Sequence, residues 1–176
     1  MKDFPELLSD EIIERASKLE VSQICDGMKA LKIPRYGTLT PDIHAVDPSF
    51  KMVGTAMTIE TDNSDNFPIH VATYSAPREG YVMVIDGKGY KDAAYLGDKI
   101  MGACKAMGYK GIVVDGYTRD RSGNIELDFP VFSRGLNPAG PIKKNPGKIN
   151  ETIVCGGVEV HPGDLVCGDE DGVCVV

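Results

Sequence analysis

No apolar stretch in this 176-residue chain approaches the ~20 residues that a bilayer-spanning helix requires. The first residues, MKDFPELLSDEIIERASKL, are charged throughout and lack an apolar h-region, so no signal peptide is expected. A basic excess is missing as well. Nineteen Lys and Arg face 26 Asp and Glu, and the net charge of −7 disfavours nucleic acid, whose backbone is usually met by a basic face. The one local basic group, Lys143, Lys144 and Lys148, sits among Pro141, Pro146 and Gly147 and reads as a solvated loop. The five cysteines, Cys25, Cys104, Cys155, Cys167 and Cys174, form an odd set without a CxxC pair, and His44, His70 and His161 stand singly. A zinc site is therefore not indicated. These absences together describe a reduced cytoplasmic protein with neither a membrane nor a nucleic-acid partner.

What is present is an ordinary globular balance, 42% apolar and 26% charged, at a length that suits one domain with a substantial core. Apolar spacing predicts a helix over residues 10–18 behind Ser9 or Asp10, and a second over residues 23–31 capped by Ser22. The Pro- and Gly-rich residues 32–48 read as connecting loop, followed by a strand from Met52 to Glu60. Residues 62–67 read as polar turn and residues 69–75 as a short helix. GYVMVIDGKG predicts a buried strand, Tyr81 to Ile85, ending in a Gly-rich turn. A helix from about Asp98 to Met107, stopped by Gly108, leads to a second buried strand, Ile112 to Val114. No further helix is expected. FPVFSRG and the residues after Thr152 read as short strands, with turns at Gly156-Gly157, Pro162-Gly163 and Asp171-Gly172.

The middle of the chain is thus a βαβ unit, and its geometry has a consequence. A parallel crossover returns the chain so that the start of the helix and the end of the second strand share one rim of the sheet. Gly97-Asp98 and Arg119-Asp120 should meet there, although twenty residues, 99–118, separate Asp98 from Arg119. Ligands bind at that rim in open α/β sheets.

The residue types at the rim suit a small 2-oxo acid. The amides of Asp98, Lys99 and Ile100 begin the helix and offer donors to an anion. Gly97 lets a ligand approach the backbone. Arg119 supplies a fixed cationic fork for a carboxylate or an enolate, and Asp120 a hard oxygen for Mg²⁺ or Mn²⁺. Asp98 can hold a water and accept a proton. On this expectation the metal chelates the 2-oxo group and one carboxylate oxygen, the helix amides take the other, and Arg119 stabilises the enolate. The same residues also admit structural roles: Asp98 as an N-cap, Arg119-Asp120 as a surface turn with a weak ion pair. VMVIDGKGY is reminiscent of the strand and Gly-loop of nucleotide- or S-adenosylmethionine-binding folds, but the third Gly of that fingerprint is missing.

The segments SQICDGM, VGTAMTI, GYVMVIDGKG, AAYLGDKIMGACKAMGYKGIVVDGYTRD, FPVFSRG and VHPGDLVCGDEDGVCVV cover nearly the whole chain. In them the sequence resembles the RraA-like family, which holds class II 4-hydroxy-4-methyl-2-oxoglutarate aldolases and the regulator of ribonuclease E activity A. Asp98, twenty residues, then Arg119-Asp120 is similar to the Asp-x20-Arg-Asp signature of the aldolase branch.

The resemblance implies a single swivelling β/β/α domain over residues 1–176, of the α/β class, assembled as a homotrimer or hexamer with the site at a subunit interface. It places substrate binding on Gly97, Asp98, Lys99, Ile100 and Arg119, the catalytic roles on Arg119 and Asp98, and the Mg²⁺ or Mn²⁺ ligand on Asp120. The implied activity is retro-aldol cleavage to pyruvate, with oxaloacetate decarboxylation as a side activity. The alternative it carries is a regulator that binds a ribonuclease and has no catalysis of its own; a methyltransferase ranks third. The sequence ends at Val176. On the family pattern this reads as lacking the C-terminal helical tail of longer members, whose acidic residue reaches a neighbouring subunit's site.

Overall fold

In the computed structural model residues 3–33, 37–75 and 79–176 are described. Two short helices lead in, α1 (Asp10–Ser17) and α2 (Val21–Ala30). Ser9 caps α1, its Oγ accepting from the Ile12 amide. The second helix starts two residues earlier than the spacing predicts, because Glu20 rather than Ser22 is its cap. Glu20 and Gln23 form a capping box, in which the Glu20 amide donates to Gln23 Oε1 at 3.0 Å. The expected loop at 32–48 contains two short strands, β1 (Gly37–Thr38) and β2 (His44–Ala45); its residues 34–36 lie outside the described ones.

The strand predicted at Met52–Glu60 is β3, and it is followed by α3 (Phe67–Tyr74), β4 (Tyr81–Leu96) and α4 (Asp98–Ala106). Next come β5 (Gly111–Thr118), α5 (Arg121–Leu127) and β6 (Val131–Leu136). β3, β4, β5 and β6 lie side by side in parallel, so the chain makes three successive crossovers rather than one. The helix α5 corrects the expectation that none follows β5. Its seven residues include Ser122 and Gly123 and carry no long apolar stripe. It forms because the Asn124 amide reaches the Asp120 carbonyl at 3.0 Å, and it packs on α4, where Gly102 meets Leu127.

Five further short strands complete the chain. β7 (Lys148–Ile149) falls in the loop expected to be solvated and pairs with β3, while Lys148 Nζ meets Glu60 Oε2 at 3.1 Å. β8 (Ile153–Cys155) and β9 (Val158–Val160) form a hairpin, and β10 (Leu165–Asp169) and β11 (Gly172–Val175) extend the main sheet antiparallel beside β3. The order across that sheet is β1-β11-β10-β3-β4-β5-β6-β2.

The central strands are apolar on both faces, as buried parallel strands are, and alternate residues feed opposite layers. Met83, Ile85, Ile112 and Val114 pack against α3 and α4 with Ile69, Met101 and Cys104. Val82, Val84 and Val113 pack against the β8–β9 hairpin through Ile153, Cys155, Val158 and Val160. Helices, sheet and hairpin make a three-layer α/β architecture of the β/β/α kind. Among the described residues no helix is long and apolar enough to cross a membrane.

One strand departs far from expectation. β4 does not stop at Ile85 but continues through irregular pairing to Leu96. The Gly-rich residues lie inside it and serve packing. A Cβ on Gly87 would meet the Tyr95 ring at 2.7 Å and one on Gly116 would meet it at 2.6 Å, while Tyr95 Oη donates to the Gly87 carbonyl at 2.8 Å.

Candidate functional site

The extension of β4 is what builds the site. β4 and β5 regain register at their ends, where Leu96 lies opposite Thr118 and the Arg119 amide donates to the Leu96 carbonyl at 3.1 Å. Gly97-Asp98 and Arg119-Asp120 therefore face each other at the carboxyl rim. The Asp98 amide donates to Asp120 Oδ2 at 3.3 Å. Gly97 is there for want of space: a Cβ would lie 2.1 Å from Asp120 Oδ2 and 3.0 Å from Arg119 Cγ. Asp120 itself has φ +62°, in the left-handed region that Asp tolerates better than most residues.

The helix tip offers fewer free donors than the sequence suggests. The Ile100 and Met101 amides both turn back to the Gly97 carbonyl at 3.1 Å, and that of Asp98 is used by Asp120. Of the three predicted amide donors, only that of Lys99 has no partner among the described residues. Asp98 is not the N-cap; Gly97 holds that position, without a side-chain cap. The Asp98 carboxylate instead lies beside α5, where a Cβ on Gly123 would come within 3.3 Å of its Oδ2.

Arg119 is held without being saturated. Its Nε is buried and lies 3.3 Å from Asp120 Oδ2, close enough for an ion pair but outside hydrogen-bond geometry, so that N–H has no hydrogen-bond partner. A Cβ on Gly140 would meet its Nη1 at 3.1 Å, so the guanidinium lies against the chain after β6.

These groups line a cleft of about 410 Å³. Its other walls come from places the sequence does not mark: Asn66, His70 and Tyr74 of the α3 region, and Gly140, Pro141 and Lys143. Lys143 is thus a cleft residue rather than part of a purely solvated loop. The loop is tied down because the buried Asp65 carboxylate accepts from the amides of Phe67, Lys144 and Asn145 at 2.7–3.2 Å, counting both of its oxygens. His70 stacks on Tyr74 at 5.9 Å. Partial burial, and secondarily the Lys143 charge, hold its pKa below the usual 6.5, which favours the neutral ring at neutral pH. No local motif signals Asn66, His70 or Lys143, because only the crossover β3–α3–β4 and the Asp65 clamp bring them to the rim.

A divalent ion suits the donors present. Asp120 is partly exposed at the cleft, and its Oδ1 has no hydrogen bond among the described residues. No group of three or more His, Cys, Asp or Glu able to hold a metal occurs among them. With the Asp98 carboxylate, also unbonded among the described residues, this small set of free oxygens in an open cleft could hold an ion that keeps most of its waters, as Mg²⁺ does, and does not match a closed protein cage.

The RraA-like family model, described as Aldolase/RraA, matches residues 21–175. A curated protein of Halalkalibacterium halodurans, whose name gives 4-hydroxy-4-methyl-2-oxoglutarate aldolase as a provisional activity, is 42% identical over 138 residues. That match takes in 78% of this chain and 65% of the relative, so the chain spans somewhat less than two thirds of the relative's length. Among solved structures, Streptomyces coelicolor RraAS2, described as an unusual member of the RNase ES inhibitor RraA protein family, superposes with a TM-score of 0.82 at 27% identity. The superposition covers 97% of this chain and 86% of that one. A Geobacillus kaustophilus protein described as an S-adenosylmethionine:2-dimethylmenaquinone methyltransferase gives 0.79 at 26% identity, over 90% and 94% of the two chains.

Proposed function

The chain belongs to the RraA-like family, and from that premise we propose that it is a divalent-metal-dependent carbon–carbon lyase. It cleaves 4-hydroxy-4-methyl-2-oxoglutarate-type acids to pyruvate and decarboxylates oxaloacetate as a side activity. The observation that carries this reading is the meeting of the Asp98 amide and Asp120 Oδ2 at 3.3 Å beside an Arg119 Nε–H that has no hydrogen-bond partner. A purely structural ion pair gives no reason to leave that buried donor unmatched.

The cleft residues divide the work by chemistry. The Lys99 amide, at the positive end of α4, takes a carboxylate oxygen of the substrate. Arg119 directs its unmatched N–H toward the 2-oxo oxygen, where negative charge grows as the C3–C4 bond breaks; fixed donors aimed at developing charge typically contribute ~3 kcal/mol each. Asp98, whose carboxylate has no hydrogen bond among the described residues, takes the C4 hydroxyl proton by way of a water. When bound at Asp120, a divalent ion would supply polarisation of the 2-oxo group. Oxaloacetate loses carbon dioxide to the same enolate and needs no hydroxyl proton removed. Lys143 provides a cation for a second carboxylate. The assembly that goes with this reading is a homotrimer or hexamer with the cleft at a subunit interface.

The test is pyruvate release from both substrates with Mg²⁺ or Mn²⁺, with and without chelator. Asp120→Ala is expected to lose at least ~100-fold in kcat/KM. Equal turnover by the variant would end the proposal, as would no turnover by the parent with any divalent ion. The regulator reading draws on the description of the Streptomyces relative, and co-precipitation with a ribonuclease that survives Arg119→Ala would favour it. The methyltransferase reading has no matching loop, since Gly87 and Gly89 lie within β4 and α4 begins only at Asp98.

A further inference from the structure

Besides Arg119 Nε, the cleft wall holds a second buried side-chain atom without a partner, which the chemistry above leaves unused. Asn66 is 3% exposed, lines the same cleft as Asp98, and its Oδ1 has no hydrogen-bond partner. Its backbone is fully committed: the amide donates to the Ile142 carbonyl and the carbonyl accepts from the His70 amide, each at 3.0 Å. Next to it the Asp65 carboxylate pins the chain through three amides. The side-chain amide is therefore held at a fixed point of the wall.

Two other buried asparagines, Asn124 and Asn150, also leave Oδ1 unmatched, so that alone marks no site; they differ in what their Nδ2 does and in lying outside the cleft lining. Asn124 Nδ2 donates to the Phe129 carbonyl at 2.8 Å and Asn150 Nδ2 to the Asp3 carbonyl at 3.3 Å, each tying down a neighbouring segment. Among the described residues Asn66 ties down nothing through its side chain. A buried side-chain amide that lines the cleft and fastens no segment favours a role in which something entering the cleft completes it.

An amide oxygen accepts hydrogen bonds and, at neutral pH, does not take a proton. It disfavours the carboxylate and keto oxygens of a 2-oxo acid and selects a donor. We propose that Asn66 is a positioning residue, holding with Asp98 the water that removes the C4 hydroxyl proton. The inference rests on the lyase reading. The water donates one hydrogen to Asn66 Oδ1 and one to the Asp98 carboxylate, which leaves a lone pair for the substrate hydroxyl. As the hydroxyl proton passes to the water, the water's own proton passes to Asp98. The C4–O electron pair closes to a carbonyl, releasing the second 2-oxo acid as the C3–C4 bond breaks. The pair of that bond becomes the C2–C3 double bond of the enolate, the carbonyl π pair moves to the 2-oxo oxygen, and the proton later returns from Asp98 to C3 to give pyruvate. Asn66 keeps its hydrogen bond throughout and exchanges no proton.

Oxaloacetate has no such hydroxyl, and this provides the test. Steady-state kinetics of Asn66→Leu should show kcat for 4-hydroxy-4-methyl-2-oxoglutarate lowered ~30-fold, the scale of a misplaced proton acceptor, with KM within about twofold. Oxaloacetate decarboxylation should stay within about threefold of the parent, since it uses only the shared enolate site. If both residues hold one water, Asn66→Leu added to Asp98→Asn should lower the aldol rate by no more than about threefold further. Asn66→Ala, which introduces no clash, gives the same reading if leucine disturbs the fold. Equal losses on the two substrates, a loss wholly in KM, or full additivity with Asp98→Asn would each overturn the inference while leaving the lyase intact. A parent that turns over neither substrate removes the lyase reading and this inference with it.

Discussion

Arg119 and Arg134 stand near the ends of neighbouring parallel strands, yet their surroundings differ in one respect. Arg134 is matched on two sides: Nε donates to Asp115 Oδ1 and Nη1 to Asp42 Oδ2 at 2.8 Å. The second oxygen of Asp115 accepts from the Gly156 amide at 2.8 Å, so one buried carboxylate joins β5, β6 and the hairpin layer. The bond to Asp115 also pushes the Arg134 pKa above its already high usual value. Among the described residues Arg119 has only the 3.3 Å approach of its own neighbour, Asp120, and keeps a buried N–H unmatched. A guanidinium bonded on two sides fastens layers together; one whose buried N–H lacks an acceptor is open to bind. The residue type is the same, and the hydrogen-bond balance separates architecture from chemistry.

The strongest way to break that contrast is to remove Arg119. Arg119→Ala should lower kcat/KM by ~10²–10³-fold, as loss of one aimed donor does, and should change unfolding free energy by less than ~0.5 kcal/mol. Gly97→Ala should produce a comparable loss without deleting any charged group, because its Cβ would stand 2.1 Å from Asp120 Oδ2 and force that carboxylate away. A large loss of stability in Arg119→Ala, or wild-type activity in Gly97→Ala, would erase the distinction between the two arginines.

Asp115→Ala tests the other side. Asp115 is only 8% exposed at its side chain, and its removal strands Arg134 and the Gly156 amide together. Removing one partner of a buried pair costs ~3 kcal/mol, discounted little here because the aspartate is the buried member. In a 176-residue chain that corresponds to a melting-temperature drop of roughly 9 °C. Activity per folded molecule should remain near the parent's at low temperature, and a selective loss of activity would show Arg134 to be part of the chemistry.

Much of the contrast was legible in the sequence, and what was not has physical causes. Val82–Ile85, Ile112–Val114 and the Gly108 stop identify a parallel crossover, because buried parallel strands read as apolar runs and a helix must close between them. That alone brought Asp98 and Arg119-Asp120 together. The helix α5 escaped because RSGNIEL carries no apolar period and relies on α4 for its partner. The β4 extension escaped because its glycines look like a turn, whereas they make room for Tyr95. Asn66, His70 and Lys143 were hidden for a third reason. Their place depends on Asp65 gathering three amides from residues 67, 144 and 145, a contact between segments almost eighty residues apart that no periodicity records.

The smallest effect sharpens the comparison most, because it acts on the same guanidinium as Asp115. Asp42 binds Arg134 Nη1 from the solvent side with its side chain 68% exposed. An exposed pair in water returns little after screening and side-chain ordering, so Asp42→Ala should cost about 0.5 kcal/mol or less by denaturant titration. In 1 M salt, where the screening length falls to about 3 Å, even that difference should vanish. The Asp115→Ala deficit should survive the same salt, since most of it comes from leaving buried groups unmatched. Equal costs for the two aspartates would mean that proximity of charge holds Arg134, not its bond to a buried carboxylate, and Arg119 would then differ from it only in degree.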